Sequence, residues 1–408
     1  MNDYFCKTQT YLENTLDTAL SVSESCVYFA SGEEKFARLF YELKRARRQI
    51  DLEYFIIEKG VLWENVLAIL KQKIDCGVKV RIICDAVGSL KLRLGGFRKS
   101  MAELGIEVRF LGLLPKRIKR SDSSGKYRWN SGRDHRKIVI IDQQIAFCGG
   151  LNLSDMYANL EEKFGYWKDT AVLVNGDCAS ELSQLFQTMW DFLGDLSPEI
   201  APATLHSSEI LEPPKSPELL QSYINLHTLT APVFDVSHDK IATSEHMLIH
   251  IIMAAKESVY IFTPYLICGS GMLSVLAACA RSGVDVRIVV PFIADKKLVK
   301  IVTESYYQTL LENHVRIFEY LPGFIHAKNI IADSSVAMVG SANLDYRSLY
   351  LNHECGIFMV GGEAVASIAN DFDKTFELCK EITLQDVKKF SLFKRTIQFC
   401  CRGFRRLL

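Results

Sequence analysis

The chain is built twice over, and that duplication constrains its fold more than any other feature. His135-Arg-Lys137-Ile-Val-Ile-Ile-Asp142, followed by Gly149-Gly-Leu-Asn152, returns as His326-Ala-Lys328-Asn-Ile-Ile-Ala-Asp333, followed by Gly340-Ser-Ala-Asn343. Every matched position recurs 191 residues later. One H-x-K-x-x-x-x-D carries little information, since a histidine beside a strand is usually a satisfied core or surface residue. A duplicated constellation of His, Lys, Asp, Gly and Asn at fixed spacing is far more specific, and it calls for two similar lobes.

The flanks repeat as well. Glu34 to Arg48 puts Phe36, Leu39, Phe40, Leu43 and Ala46 on one helical stripe behind a possible capping box, Ser31-x-x-Glu34. A strand over 50–57, a helix over 66–75 and a strand over 78–85 follow, with Gly77 as the helix stop. The second half repeats this as a helix over 247–256, a strand over 259–263, a helix over 272–281, Gly283, and a strand over 284–291. Such alternation predicts parallel strands covered by helices, while the run from His135 to Gly150 predicts two adjacent strands turning at Gln143-Gln144. The fold class is therefore α/β, with two lobes, each a mixed sheet flanked by helices. Five of the ten prolines fall between Leu196 and Glu218, which marks a linker. The resulting division is an N-terminal extension (1–28), a first lobe (29–197), a Pro-rich linker (198–235), a second lobe (236–385) and a basic C-terminal segment (386–408).

Composition excludes several classes. With 49% hydrophobic and 24% charged residues the chain is not disordered, and a formal net charge of zero gives nucleic-acid binding no general support. The 12 cysteines form no C-x-x-C and no regular framework, as expected of reduced thiols facing a cytosol. The first twenty residues lack the basic start of a secretory signal, and the longest apolar runs are about half the roughly 20 residues of a membrane helix.

Residues two apart on a strand face the same way, so His135 and Lys137 project together, as do His326 and Lys328. An imidazole titrating near neutrality can attack or exchange protons, and a lysine beside it supplies charge to phosphate oxygens. Asn152 and Asn343 are expected to donate amide hydrogen bonds to those oxygens. A histidine next to a lysine is a poor metal ligand set, so no metal and no cofactor are expected. Two such half-sites face to face would place two His, two Lys and two Asn around one phosphorus. Each imidazole needs a carboxylate on its other nitrogen, and the expectation is Glu354 for His326 and Asp169 for His135. Asp142 and Asp333 complete the motif and are counted with the catalytic set, although strand ends entering turns favour Asp for local backbone reasons.

At this point the sequence resembles the phospholipase D superfamily with two H-K-D motifs, and most of all bacterial cardiolipin synthases. The likeness runs from Phe29 to Phe376 through Leu52-Glu-Tyr-Phe-Ile, Asp85-Ala-Val-Gly-Ser89, both H-K-D segments, Trp167-Lys-Asp169, Thr263-Pro-Tyr265, Asn343-Leu-Asp-Tyr-Arg-Ser348 and Asn352-His-Glu354. The resemblance implies a pseudo-dimer of lobes around one active site. It also implies transfer of a phosphatidyl group between two phosphatidylglycerol molecules, releasing glycerol through a phosphohistidine, with His135 as nucleophile and His326 as general acid and base. Synthases of this kind usually begin with a membrane-spanning hairpin that is missing here. They usually carry Asn where this chain has Asp134, and Ser-Gly-Pro-Asp where it has Ser237-His-Asp-Lys240.

The implied partners are phosphatidylglycerol and a membrane surface, with no nucleic acid, and the implied location is peripheral at the cytoplasmic face of the cell membrane. A phospholipase D hydrolase using water is the first alternative; a nucleic-acid phosphodiesterase and an inactive binding protein rank below it. Two basic segments have open readings. The C-terminal stripe of Phe390, Phe393, Ile397, Cys400, Cys401, Phe404, Leu407 and Leu408 fits either a helix docked on the second lobe or one lying on anionic lipid. The run Lys116-Arg-Ile-Lys-Arg120, continuing to Arg133, reads as a solvated loop or a phosphate contact.

Overall fold

The computed structural model describes residues 8–14, 18–23, 25–112, 132–194, 227–236 and 242–402. The basic run 116–131 and most of the Pro-rich segment lie outside them. The first sheet contains β2 (Val27–Phe29), β3 (Gln49–Tyr54), β4 (Lys79–Asp85), β5 (Glu107–Leu111), β6 (Lys137–Ile141), β7 (Ile145–Gly149) and β9 (Ala171–Asn175), in the order β2-β9-β7-β6-β3-β4-β5. The second contains β1 (Ser21–Ser23), β10 (Thr228–Asp235), β11 (Ser258–Phe262), β13 (Asp285–Pro291), β14 (Arg316–Tyr320), β16 (Asn329–Ala332), β17 (Val336–Gly340), β19 (Glu354–Val360) and β20 (Cys379–Ile382). Its order is β1-β10-β19-β17-β16-β11-β13-β14-β20. Without its two edge strands this is the first sheet again, strand for strand.

Each sheet is mixed, as the pattern predicts. β3, β4 and β5 run parallel, and the hairpin β6–β7 joins them antiparallel through β3. Short elements tie the lobes: β8 (Tyr166–Lys168) pairs in parallel with β15 (Gly323–Ile325), while β12 (Leu266–Ile267) pairs with β18 (Leu344–Asp345) inside the second lobe. Helices such as Gly32–Arg45 and Val61–Asp75 cover the outer face of the first sheet. Thr243–Ala254 and Ser270–Arg281 cover that of the second. The inner faces meet in one apolar layer, where Ile138, Cys148 and Val172 of the first lobe share a core with Val339, Cys355 and Ile357 of the second.

Two boundaries move. Thr228–Asp235, assigned above to the linker, is the second lobe's counterpart of β2 and pairs from Leu229 to Asp235 with β19. Ser21–Ser23, assigned to an extension, adds an edge strand to the second sheet, while Val27–Phe29 four residues on joins the first. The N-terminal segment thus crosses between lobes. A buried polar network joins them nearby: Lys168 pairs with Asp371 at 2.7 Å, Tyr28 donates to the same carboxylate at 2.7 Å, and Asn329 donates to Tyr28 at 2.9 Å.

The C-terminal helix Leu392–Arg402 docks on the second lobe. Lys394 pairs with Glu304, Arg402 donates to Ser305 and lies over the Tyr306 ring, and Gln398 is buried. No helix among the described residues is long and apolar enough to cross a membrane.

Candidate active site

The two motifs meet at one edge of the two sheets. β6 runs opposite to β3, so its first residue, Lys137, sits beside Tyr54 at the end of β3, and Tyr54 in turn sits beside the end of β4. In the second lobe Asn329, after Lys328, sits beside Phe262 at the end of β11. His135 and His326 therefore lie where the parallel strands finish, the edge at which open α/β sheets build their sites.

The carboxylates are exchanged relative to the sequence expectation. His135 Nδ1 lies 3.0 Å from both oxygens of Glu354, and His326 Nδ1 lies 2.6 Å from Asp169 Oδ2. Each imidazole is thus held by the other lobe. Backbone pairing between the lobes causes this: β15 runs alongside β8 and delivers His326 to Asp169, with His326 N–H donating to Lys168 O at 2.7 Å. In the other half Asp134 bridges to His353, and His135 N–H donates to His353 O at 3.0 Å, which brings His135 to Glu354.

Small residues after the motif make room for these carboxylates. A Cβ on Gly150 would fall 2.2 Å from Asp169 Oδ1, so only glycine fits. At the repeat position Ser341 donates instead to Glu354 Oε2 at 2.5 Å, and Asn352 donates to Oε1 at 3.3 Å. Thr170 N–H holds Asp169 Oδ1 at 2.8 Å. With Nδ1 engaged on both rings, Nε2 is the nitrogen left to meet phosphorus.

Both histidine side chains are about nine-tenths buried, at 12% and 9% exposure. Burial, assisted by the Lys328 ammonium and opposed by Asp169, pushes the His326 imidazole down to about 3. Burial also lowers His135, against the attraction of Glu354. Both carboxyls stay below their ordinary range: although burial alone would raise them, the facing imidazole and lysine charge prevails. The lysines respond alike. Burial brings Lys137 down to about 7 against Glu354, and Lys328 down to about 8 against Asp169 and Glu354. Each Nζ donates to the carbonyl of its own motif histidine. The surroundings differ: His326 is boxed by Tyr157, Trp167 and Phe324, with ring centroids 5.6, 5.2 and 6.0 Å away, whereas His135 meets Phe55 edge-on at 5.1 Å.

The motif aspartates do not belong to the site. Asp142 and Asp333 sit at the far ends of β6 and β16, in hairpin turns whose two central residues all have positive φ: Asp142 and Gln143, Asp333 and Ser334. That is a type I′ turn, which favours Asp. Asp142 accepts from the N–H groups of Arg47, Arg48 and Gln49 at 2.8, 2.7 and 2.9 Å. Asp333 accepts from Lys256, Glu257 and Ser258 at 2.9, 2.8 and 2.9 Å. Four residues of strand separate Asp142 from Lys137, roughly 13 Å or more. Their role is to clamp each hairpin to the preceding helix–strand connection.

Asn152 and Asn343 also have internal partners. Asn152 accepts from Ile56 N–H at 3.0 Å and donates to Tyr157 OH at 2.7 Å. Asn343 donates to Asp345 and Ser348 at 3.1 and 3.2 Å. Both amides thus brace the loops around the histidines. Asp134 is likewise neutralised within the protein, its carboxylate taking Arg136 Nε at 2.9 Å while Arg136 reaches Glu53 at 2.6 Å. Ser341, Tyr157 and Trp167 escaped the sequence reading. Ser341 was detectable as the one motif-tail position where the repeat exchanges Gly for a hydroxyl.

Comparison with known proteins agrees with this geometry. Residues 39–190 and 248–376 match the family described as cardiolipin synthase, PLD-like domain. A cardiolipin synthase 2 of Bacillus anthracis is 33% identical over 381 residues, covering 93% of this chain and 70% of that protein. A cardiolipin synthase of Geobacillus thermodenitrificans is 32% identical over 357 residues, covering 88% and 67%. An uncharacterized protein of Streptococcus mutans is 35% identical over 370 residues, covering 91% and 76%. Among solved structures, a phosphatidylserine synthase of Haemophilus influenzae superposes with a TM-score of 0.69 at 13% identity, covering 98% of both chains, which speaks to the fold alone.

Proposed function

The chain belongs to the cardiolipin synthase-like family of the phospholipase D superfamily and is a phosphatidyltransferase of that superfamily, and we propose that it joins two phosphatidylglycerol molecules into cardiolipin with release of glycerol. The observation that carries this reading is the pair of imidazoles, each with Nδ1 on a carboxylate and each beside a buried lysine. One imidazole Nε2 attacks phosphorus, a P–N bond forms, and the P–O bond to glycerol breaks as the other imidazole gives that oxygen a proton. In the second step the proton-depleted imidazole takes a proton from the hydroxyl of the incoming phosphatidylglycerol, whose oxygen attacks phosphorus and breaks the P–N bond. The two lysines compensate negative charge on the nonbridging oxygens in both transition states. The second phosphatidylglycerol and water compete for the same intermediate, so transfer needs a mouth that favours lipid.

His135 is the expected nucleophile. The opposite order is supported by the surroundings of His326, whose burial holds the imidazole down to about 3 and so keeps it neutral, as attack requires. Acid quenching followed by peptide mapping distinguishes the two by the residue that carries the adduct. For the overall reaction, purified protein incubated with phosphatidylglycerol vesicles should yield cardiolipin and glycerol by mass spectrometry. Phosphatidic acid as the main product would make it a hydrolase instead.

A further inference from the structure

Both lobes place apolar side chains in water at the edge where the histidines sit. Loops after β4 and after β13 leave that edge, because β4 ends beside Tyr54, the neighbour of Lys137, and β13 ends beside β14, whose chain leads through Pro322 into β15 and His326. The first loop is seated on the site itself: Ser89 donates to Phe55 O at 3.2 Å, and the Phe55 ring meets His135. The second is seated equally closely. Tyr265 donates to Asp295 at 2.6 Å, and its ring faces Phe324, the neighbour of His326. From these loops and the short helices they lead into, Leu90–Leu94 and Lys297–Glu304, Val87, Leu90 and Leu94 of the first lobe and Phe292 and Leu298 of the second stand exposed, Leu94 at 78% and Phe292 at 52%. A large apolar side chain in water beside a site mouth, repeated in both lobes, calls for an apolar partner.

The charge on these loops identifies that partner. Residues 86–99 carry Lys91, Arg93, Arg98 and Lys99 and no acid. In the second loop Lys296 and Lys297 are exposed, while its one acid, Asp295, is engaged by Tyr265. Apolar residues interleaved with cations are the signature of a surface that enters the headgroup region of an anionic bilayer. In the C-terminal helix two of the cations, Lys394 and Arg402, are turned onto Glu304 and Ser305 of the second lobe.

We infer that Val87, Leu90, Leu94, Phe292 and Leu298, with Lys91, Arg93, Lys296 and Lys297, form a docking surface that seats the mouth of the site on an anionic phospholipid surface. Phosphatidyl groups then reach the histidines without leaving the lipid phase, and water is displaced from the mouth. The inference rests on the phosphatidyl-transfer reading above.

Sedimentation of the full chain with vesicles of phosphatidylglycerol and phosphatidylcholine tests it. L94S/F292S should bind about tenfold or more weakly at any ionic strength, since two exposed apolar side chains no longer enter the bilayer. K91Q/R93Q/K297Q should lose the salt-dependent part of binding. Both variants should keep their rate on a short-chain phosphodiester in solution, which shows that the fold and the histidines are intact. Wild-type vesicle binding by both variants would overturn the proposal. So would a wild-type dimer that L94S/F292S converts to monomer without changing lipid binding, because the face would then belong to a second copy of this chain. Failure of the functional reading looks different: the wild type would bind vesicles through these residues and yet form no cardiolipin.

Discussion

Glu354→Gln is the sharpest probe of the crossed carboxylates. The substitution keeps shape and one hydrogen bond to His135 while removing the negative charge that lies 3.0 Å from Nδ1. At an effective dielectric of about 20, unit charges at that distance attract by roughly 5 kcal/mol. Part of this is recovered by the amide, so about 3–5 kcal/mol of imidazolium stabilisation is lost, or two to four powers of ten in the step that uses it. The steps can be separated with two leaving groups. A chromogenic phenolate leaves with little help from an acid, so its burst reports attack, whereas glycerol release needs the protonated ring. Once trapping has identified the nucleophile, the burst should be slowed by losing the carboxylate of the opposite lobe: Glu354 if His135 attacks, Asp169 if His326 attacks. Nitrogen-15 spectra of labelled histidine give a second readout, with Glu354→Gln moving the His135 Nδ1 resonance and Asp169→Asn that of His326. If each substitution instead acts on the histidine of its own lobe, or both leave the rates unchanged, the crossed arrangement is refuted.

Four further outcomes follow from the same geometry. Asp142→Ala and Asp333→Ala each strip a charged acceptor from three backbone N–H groups and leave Ala at positive φ, so unfolding free energy should fall by about 2–4 kcal/mol in denaturant titrations. The folded fraction should nevertheless keep its turnover, and a purely catalytic loss would contradict the clamp role. Lys137 and Lys328, lowered by burial to about 7 and about 8, should regain their protons when an anion binds between them, because a nearby negative charge favours the ammonium. Calorimetry of a soluble phosphodiester at pH 8 to 9 in buffers of different ionisation enthalpy should therefore report proton uptake, fading toward about pH 6, below both values, where both are already charged; proton release would refute it. Truncation before Leu392 should destabilise the second lobe by about 1–3 kcal/mol while sparing vesicle binding, and the reverse pattern would make the helix a lipid anchor. Turnover should survive a chelator, and restoration by one particular metal after complete loss would overturn the metal-independent reading.

The part of this arrangement that sequence exposes and the part it hides differ in range. Helix stripes, the Gly77 stop and the two hairpins rest on neighbours within a few residues, and the repeat supplied a second copy against which to check them. The helix start also held: Ser31 accepts from Glu34 N–H, although the Glu34 carboxylate takes Ala30 N–H rather than that of Ser31. β10 was hidden because Pro232 lies in its middle, and proline inside a run argues against a paired strand; here the strand keeps its full register with β19. The carboxylate exchange was hidden for a stronger reason. It depends on one three-residue pairing and one isolated bridge between segments more than 150 residues apart, and proximity in sequence favours the wrong partner in both lobes. The same exchange makes the two lobes depend on each other. A lobe by itself carries a histidine whose orienting carboxylate sits on the other lobe, and a carboxylate whose histidine is absent. Neither half can set a tautomer, so phosphorus meets competent imidazoles only when β15 lies on β8 and Asp134 lies against His353.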